Sequence, residues 1–287
     1  MKVKYIITIS TLALLCSLSN YVYADSLLLT TTPASAGMGG AFGSIADDNG
    51  AIIINPAGIS ATKRYGAEVG YLNTNPYTGS RIDLSVVDSV TSPVGAGFGY
   101  YRDSYKESSL TIEKNVYALA LSMGEPGVFS AGITGRLDQF TRGLRGQSET
   151  LGYGIIFSPG VSFLNISVAG LNLTRIRGTR EQLAPRLVDT GISMLLHGIF
   201  TIAFDAVKNL DVDTTHNVDY HAGGEIVIIN QVAFRGGYAW EQAENTKTYS
   251  AGIAWKAPRF TLAYSFVGNV ENQKENTQLV SFTLYPF

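Results

Sequence analysis

The side chains best able to do chemistry are scattered and form no known catalytic pattern. The histidines of the chain are His197, His216 and His221. His216 lies among Asp211, Asp213 and Asp219, a group that offers ligands to a divalent cation. Their spacing matches no closed ligand set, so we interpret this stretch as a solvated loop and expect no metal site. Because no Gly-x-Ser-x-Gly elbow is present, we also expect no enzymatic activity.

A glycine-rich stretch near the N-terminus invites comparison with nucleotide-binding loops. Gly37, Gly39, Gly40 and Gly43 lie close together, but Phe42 occupies the position of the third glycine. No apolar strand precedes them, as the dinucleotide fingerprint requires. The sequence therefore predicts no nucleotide cofactor, and nothing else in it indicates another cofactor.

Residues 1–24 have the features of a secretory signal peptide. Lys2 and Lys4 give a basic start, residues 5–18 are mostly apolar, and Val22-Tyr23-Ala24 fits a cleavage site. The apolar run is shorter than the ~20 residues that a membrane-spanning helix needs. We therefore expect cleavage after Ala24, which also removes Cys16, the only cysteine.

The composition is unusual for a soluble domain. Charged residues make up 15% of the chain, against about 25% in typical soluble domains. Beyond residue 24 there is no apolar run long enough for a membrane-spanning helix. Loss of the signal peptide lowers the formal net charge from −2 to −4, which argues against a nucleic-acid partner.

The apolar residues instead recur with period two, which is typical of strands. In residues 259–268, for example, Phe260, Leu262, Tyr264 and Phe266 alternate with smaller or polar residues. The predicted strands are 65–73, 80–88, 93–102, 112–122, 127–137, 149–157, 161–173, 185–196, 199–206, 217–229, 231–241, 247–256, 259–268 and 276–287. An even number of strands fits a bacterial outer-membrane barrel. We therefore predict an all-β, transmembrane antiparallel β-barrel of about fourteen strands over residues 65–287.

The predicted connections alternate between short and longer ones, as periplasmic turns and outer loops do. The longer ones include 103–111, 138–148 and 174–184. Two of them carry a set of arginines: Arg142, Arg145, Arg175, Arg177 and Arg180. Because guanidinium groups bind phosphate well, these are candidates for contact with lipopolysaccharide. Ordinary loop charge is the competing interpretation.

Strand parity places a set of polar side chains toward the lumen of the predicted barrel. The candidates for a polar lumen wall are Arg81, Asp83, Asp219, His221, Glu225, Arg235 and Glu241. Barrel lumens are polar in any case, and mixed charges can simply pair with one another. Contact with an internal segment or a solute is the alternative.

Residues 25–64 do not alternate, and we predict that they form a hatch inside the barrel. Asn55, Pro56 and Gly58 belong to a rigid turn, which serves either as a turn alone or as an anchor at the barrel base. The acids Asp47 and Asp48 are candidates for a latch to lumen arginines or for a simple helix end. The apolar hatch residues are Met38, Phe42 and Ile45, which either pack on one another or line a small cavity.

Three segments near the N-terminus follow one another in a fixed order: Ala36-Gly37-Met38-Gly39-Gly40-Ala41-Phe42, Ala46-Asp47-Asp48 and Asn55-Pro56-Ala57-Gly58. In order and spacing they resemble the N-terminal hatch of the FadL family of outer-membrane transporters. PorV-like barrels, which are tied to protein secretion, share this start. The later segments His221-Ala222-Gly223-Gly224-Glu225 and Phe234-Arg235-Gly236-Gly237-Tyr238 look more like the PorV-like group. The resemblance implies fourteen strands and an N-terminal hatch.

Two functions follow as expectations from this resemblance. FadL-type transporters pass small hydrophobic, fatty-acid-like molecules through a gap in the barrel wall, and Gly95, Gly97 and Gly99 are candidates for a lateral opening. Close packing of the hatch against these glycines is the competing interpretation. A PorV-like barrel would instead hold secreted proteins or a secretion machine at the membrane. Either function places the protein in the bacterial outer membrane, in contact with its lipid.

Overall fold

The computed structural model describes residues 31–75, 79–107, 110–160, 163–179, 182–212, 218–229, 231–242 and 245–286. The predicted signal peptide, residues 1–24, lies outside the described residues, and so do residues 25–30 of the predicted hatch. No helix in the described ranges is long and apolar enough to cross a membrane.

The described residues form a closed antiparallel barrel of fourteen strands, as the sequence predicted. Each strand pairs with its neighbours in the chain, and β1 pairs with β14 from Ala67–Leu284 to Asn75–Asn276, so the barrel has no free edge. The strands are β1 (Tyr65–Asn75), β2 (Gly79–Asp88), β3 (Gly95–Glu107), β4 (Leu110–Glu125), β5 (Phe129–Arg142), β6 (Gly146–Phe157), β7 (Leu164–Arg177), β8 (Leu187–Leu196), β9 (Phe200–Asn209), β10 (Val218–Ile228), β11 (Val232–Glu241), β12 (Thr246–Ala257), β13 (Phe260–Asn269) and β14 (Asn276–Leu284).

The two faces of the wall differ as the period-two pattern predicts. In β14, for instance, Thr277, Leu279 and Ser281 are buried, whereas Val280 and Phe282 between them are exposed. The exposed positions of the other strands also carry large apolar side chains, which suits contact with lipid. The closed barrel and its apolar exterior fit an outer-membrane location.

The strands extend further at one end of the barrel than predicted. We call the end where β1 begins and β14 ends the inner end, and the opposite end the outer end. The predicted loops 103–111 and 138–148 are mostly strand, because β3 continues to Glu107 and β5 to Arg142. Several outer connections are therefore as short as the inner ones. The error arose because polar side chains that face the lumen were interpreted as loop residues.

The described part of the hatch, residues 31–64, lies inside the barrel. It contains the helix α1 (Pro33–Gly37), a 3-10 helix (Asn49–Ile52) and the helix α2 (Gly58–Ala61). Thr32 starts α1 with a capping box, in which its side chain accepts from Ser35 N. The segment packs against the lumen side of strands all around the wall, and it fills the lumen from the inner end as far as His221 of β10 and Ser250 of β12.

Candidate functional site

The first half of the hatch is tied to the wall by side chains of β10, β12 and β13. His221 Nδ1 lies 2.7 Å from Gly39 O, so this ring nitrogen carries the proton and donates it. Ser250 Oγ donates to Gly37 O at 3.1 Å, and Ser265 Oγ donates to Pro33 O. His221, predicted to face the lumen, therefore positions the hatch backbone.

A single carboxylate of β9 holds the next turn of the hatch. Asp205 Oδ2 accepts from both Phe42 N and Gly43 N, each at 2.7 Å. Two successive amide protons directed at one oxygen form a compact anion-binding arrangement. Asp205 is a buried position of β9, and nothing in the sequence indicated that its partner is the hatch backbone.

The wall and the hatch approach each other closely where both carry glycine. A Cβ at Gly237 of β11 would overlap the backbone of Met38 and Gly39. Gly39 itself has φ +63°, a conformation that other residues rarely adopt. Backbone therefore packs directly on backbone at this point.

The predicted turn Asn55-Pro56-Ala57-Gly58 holds the second half of the hatch together. Asn55 Nδ2 donates to Gly43 O at 2.8 Å, and Asn55 Oδ1 accepts from Ala57 N at 3.2 Å. The Pro56 backbone lies against Gly132 of β5. The segment is thus a turn that also contacts the wall, and the two interpretations of the sequence are compatible.

The Asp48 carboxylate does not form the predicted latch with a lumen arginine. Asp48 Oδ1 accepts from Gly50 N at 2.8 Å and so caps the 3-10 helix, while Oδ2 accepts from Thr32 Oγ1 at 2.8 Å. Arg64 donates to the backbone oxygen of Asp48 and not to its carboxylate. Asp47 is exposed.

The apolar hatch residues belong to a single core. Met38 and Phe42 are buried, and Ile45 packs beside them at partial exposure. The same core includes Val87 and Tyr101 of the wall. These contacts correspond to packing of the hatch on itself and on the wall.

Among the described residues, many of the lumen charges form three groups of ion pairs. Arg81 binds Asp103, with Nε 2.6 Å from Oδ1. Asp138 binds both Arg136, at 2.6 Å, and Lys114, at 3.7 Å. The third group joins members of β10, β11 and β12: Glu225, Arg235 and Lys256.

The other predicted lumen residues, Asp219, Asp83 and Glu241, belong to none of these three groups. Asp219 accepts from Gln242 N at 2.8 Å near the outer end. The Asp83 carboxylate lies where a side chain at Gly70 would be. Glu241 is partly buried at the last position of β11. Sequence reasoning missed Asp103 and Asp138, because it assigned both positions to outer loops.

An apolar cluster lies in the outer half of the lumen and includes Ala36 of the hatch helix α1. Its large buried members come from five strands, and they are Leu72, Tyr105, Ile112, Phe140 and Leu279. This cluster was not predicted from the sequence, because Tyr105 and Phe140 were assigned to loops. Lys114 Nζ lies 5.7 Å from the Tyr105 ring centroid and 6.0 Å from that of Phe140, so a cation borders the cluster.

The wall at Gly95, Gly97 and Gly99 is continuous. β3 pairs without a register shift with β4 through all three glycines and with β2 through Gly97 and Gly99. A Cβ at Gly97 would come within 2.8 Å of Ile52, and one at Gly95 within 2.8 Å of Ile59. Gly95 and Gly97 therefore accommodate the hatch, as the competing interpretation of the sequence has it, whereas a Cβ at Gly99 would meet the Tyr101 ring of the wall.

The wall is interrupted instead between β6 and β7. Leu151 pairs with Thr174 and Tyr153 with Gly170, so three residues of β7 lie opposite the single residue Gly152. Asn172, in the middle of this bulge, has φ +54°. Its side chain bridges Thr150 Oγ1, at 2.9 Å, and Pro185 O, at 3.1 Å.

Spaces lie on both sides of this interruption. Inside, a cavity of about 20 Å³ is lined by Ile53 and Pro56 of the hatch and by Gly152, Leu171 and Leu187 of the wall. Beside it, an apolar groove of about 340 Å³ borders β3 to β7. The lipid-facing residues of this groove include Phe98, Leu119, Leu137, Leu151 and Ile176.

The predicted lipopolysaccharide contacts lie at the outer end, but most of them are not in loops. Arg142 is the last residue of β5, and Arg145 lies in the connection that follows it. Arg175 and Arg177 belong to the last residues of β7, and Arg180 lies outside the described residues. Arg142 Nη1 lies 3.1 Å from Glu113 Oε1, and Arg177 Nη1 lies 4.0 Å from Glu149 Oε1.

Arg175 binds Asp211 in a cluster at the outer end, together with Arg186. Partial burial acts to raise the pKa of Asp211, but hydrogen bonds from Arg186 and the charge of Arg175 hold it below its ordinary value. The carboxylate therefore stays ionised at neutral pH, and Arg175 already has an anionic partner. In the described ranges, no group of three or more His, Cys, Asp or Glu residues is arranged to hold a metal ion. His216 and Asp213 lie outside those ranges.

Comparisons with known proteins support the fold. Neither a family model nor a curated protein sequence matches the chain. The CymD monoaromatic hydrocarbon channel superposes with a TM-score of 0.65 at 14% identity, covering 90% of this chain and 98% of that one. A FadL homologue from Pseudomonas aeruginosa gives 0.60 at 12% identity, covering 88% and 97%.

The toluene transporter TbuX from Ralstonia pickettii gives a TM-score of 0.56 at 11% identity, covering 90% of this chain and 99% of that one. These similar structures extend over almost the whole described barrel. The chain therefore has the fold of the FadL-type outer-membrane channels.

Proposed function

We propose that the protein is an outer-membrane channel for small hydrophobic molecules. The observation that carries this proposal is the apolar cluster in the outer half of the lumen, formed by Leu72, Tyr105, Ile112, Phe140 and Leu279. The lumen of a channel for polar solutes is itself polar. These side chains are buried against one another. An apolar molecule that enters from the outer end and packs among them would leave water for an apolar environment, which is favourable in proportion to the area buried.

The substrate class rests on the same chemistry. The similar structures include proteins named as a monoaromatic hydrocarbon channel and a toluene transporter. Their identity to this chain is 14% or lower, so they support the fold and suggest the class without naming a substrate. We propose a fatty-acid-like or monoaromatic molecule.

The exit of the substrate is better placed at the β6–β7 interruption than at the glycines of β3. The inner half of the lumen is filled by the hatch, so a molecule in the outer half has to pass the hatch or leave through the wall. At Gly152 the ladder between β6 and β7 is broken. An inner cavity and an outer apolar groove lie next to this break.

The alternative function, a PorV-like partner of secreted proteins or of a secretion machine, receives no specific support. The apolar surface of the described barrel is a continuous outer face that lipid can cover. Contact of the outer arginines with lipopolysaccharide stays a prediction, weakened by the acids that three of them already bind.

The proposal is tested by uptake of a labelled long-chain fatty acid and, in parallel, of labelled toluene. The host strain lacks its own transporters for both. Phe140→Asn removes a large apolar side chain from the cluster, and we expect about tenfold slower uptake of the true substrate, because burying such a side chain stabilises by ~1.5–3 kcal/mol. Thr141→Asn, at the next position and exposed, is the matched control.

Heat-modifiable migration on a detergent gel shows that each variant has folded. Uptake by the wild type no faster than by cells without the protein, for both probes, would exclude the proposed substrate class. Fast uptake by both variants would leave the function standing and show that the cluster is not on the route.

A further inference from the structure

The strands β7, β8 and β9 carry a row of small and acidic residues that face the lumen and the hatch. Ser167 of β7 pairs with Gly191 of β8, and Gly191 pairs with Asp205 of β9. Asp189 lies two residues before Gly191, and therefore on the same face of β8. Because Gly191 has no side chain, the side chains of its neighbours can occupy the space above it.

The oxygen atoms of this row converge on that space. A Cβ at Gly191 would overlap Asp205 Oδ1 and lie 2.8 Å from Ser167 Oγ. From the hatch side, a Cβ at Gly43 would lie 2.5 Å from Asp189 Oδ2 and 3.3 Å from Asp205 Oδ2. The Asp205 carboxylate thus lies between the Ser167 hydroxyl, on the Gly191 side, and the Asp189 carboxylate, on the Gly43 side.

The charge of this cluster is not balanced by the protein. Ser167, Asp189 and Asp205 are only 2%, 6% and 3% exposed. Among the described residues, Ser167 Oγ, Asp189 Oδ1 and Asp205 Oδ1 have no hydrogen-bond partner, and no ion pair includes either aspartate. Buried charges in proteins are normally paired or coordinate a metal ion, because an isolated one is costly.

We propose that Asp189, Asp205 and Ser167 bind a divalent cation, calcium, between Gly191 of the wall and Gly43 of the hatch. Two carboxylates neutralise a divalent charge, and the donors are all hard oxygens of the kind that calcium prefers. Calcium also tolerates irregular geometry, whereas magnesium demands a near-ideal octahedron. Asp205 would bind the ion through Oδ1 while its Oδ2 holds Phe42 N and Gly43 N, so the ion would tie the hatch to the wall.

The test is calcium binding by the full-length protein, purified in detergent and stripped with a chelator. Titration calorimetry should show one calcium ion bound per chain. Asp189→Asn removes a ligand charge, and Gly191→Ala fills the space above Gly191 without changing any charge. We expect each to weaken binding about tenfold or more, since even indirect partners of a metal matter by that factor. Asp83→Asn, at another lumen carboxylate, is the matched control and should bind as the wild type does.

The temperature at which heat-modifiable migration is lost gives a second readout. Calcium should raise this temperature in the wild type and in Asp83→Asn, and should leave it unchanged in Gly191→Ala. Absence of calcium binding by the stripped wild type would overturn the proposal and leave a shared proton as the way in which the two carboxylates are neutralised. Wild-type affinity in both Asp189→Asn and Gly191→Ala would overturn it equally. If Asp189→Asn does not fold, Gly191→Ala and Ser167→Ala decide the question.

Discussion

At the scale of single residues, several wall side chains hold the hatch through its backbone. Asp205 and His221 bind main-chain atoms of the hatch. Gly237 leaves room for the hatch backbone itself. Recognition of this kind depends on the position of a wall residue and not on the identity of the hatch side chain.

Gly237→Ala tests this close approach. A Cβ at Gly237 would overlap backbone atoms, which cannot rotate away, so the hatch has to shift. We expect destabilisation by ~1–3 kcal/mol, the usual cost of overpacking. Gly236→Ala is the control, since its Cβ would have only Ser250 O nearby, at 4.0 Å. The temperature at which heat-modifiable migration is lost measures both, and equal values would contradict the backbone contact.

The sequence predicted these residues unevenly. Period-two parity placed His221, Glu225 and Arg235 correctly on the lumen side, because the strand pattern alone decides facing. Asp103 and Asp138 were missed because acids are depleted in strands, and a polar stretch near a strand end looks like a loop. Their partners, Arg81 and Lys114, come from neighbouring strands, and no local pattern reveals such pairs.

At the scale of elements, β7 differs from the other strands. A bulge at Asn172 divides this strand into two parts. The part before the bulge, nearer the inner end, pairs with β8, and the part after it does not. The loop after β7 supplies Pro185 O to the Asn172 side chain and so covers the gap. The glycines of β3 drew attention in the sequence, whereas nothing around Asn172 did, because a bulge is a property of two paired strands.

A pair of cysteines tests whether this interruption opens. Leu151→Cys with Thr174→Cys joins β6 and β7 at paired positions beside the bulge, and the mature chain has no other cysteine if residues 1–24 are removed. Oxidation should then slow uptake of the hydrophobic probe several-fold, because a disulfide fixes the separation of the two strands within about 1–2 Å. Reduction should restore it.

The control joins the same strands where their ladder is regular. Ile155→Cys with Val168→Cys are also paired, on the uninterrupted part. Uptake should be insensitive to oxidation there. Equal sensitivity of both pairs, or of neither, would argue against an exit at the bulge.

At the scale of the whole molecule, the wall and the hatch are separate structural units. All backbone ladders of the barrel close on themselves, including that between β1 and β14. The described part of the hatch adds side chain and backbone contacts from inside but contributes no strand. The sequence predicts a hatch before residue 65, where alternation begins, but it could not predict which wall residues hold this segment.

Deletion of residues 33–61 tests the division directly. The remaining residues Thr62 to Arg64 keep their contacts with Ser89 at the inner end of the wall. We expect the barrel to fold and to show heat-modifiable migration, because a closed ladder satisfies its own hydrogen bonds. Asp205, Ser250 and Ser265 would exchange their hatch partners for water in the widened lumen. Conductance in planar bilayers should rise well above that of the full-length protein measured under the same conditions.

A deletion variant that fails to fold would show that the wall needs the hatch as a core. A folded variant with unchanged conductance would show that the apolar cluster around Phe140 closes the lumen by itself.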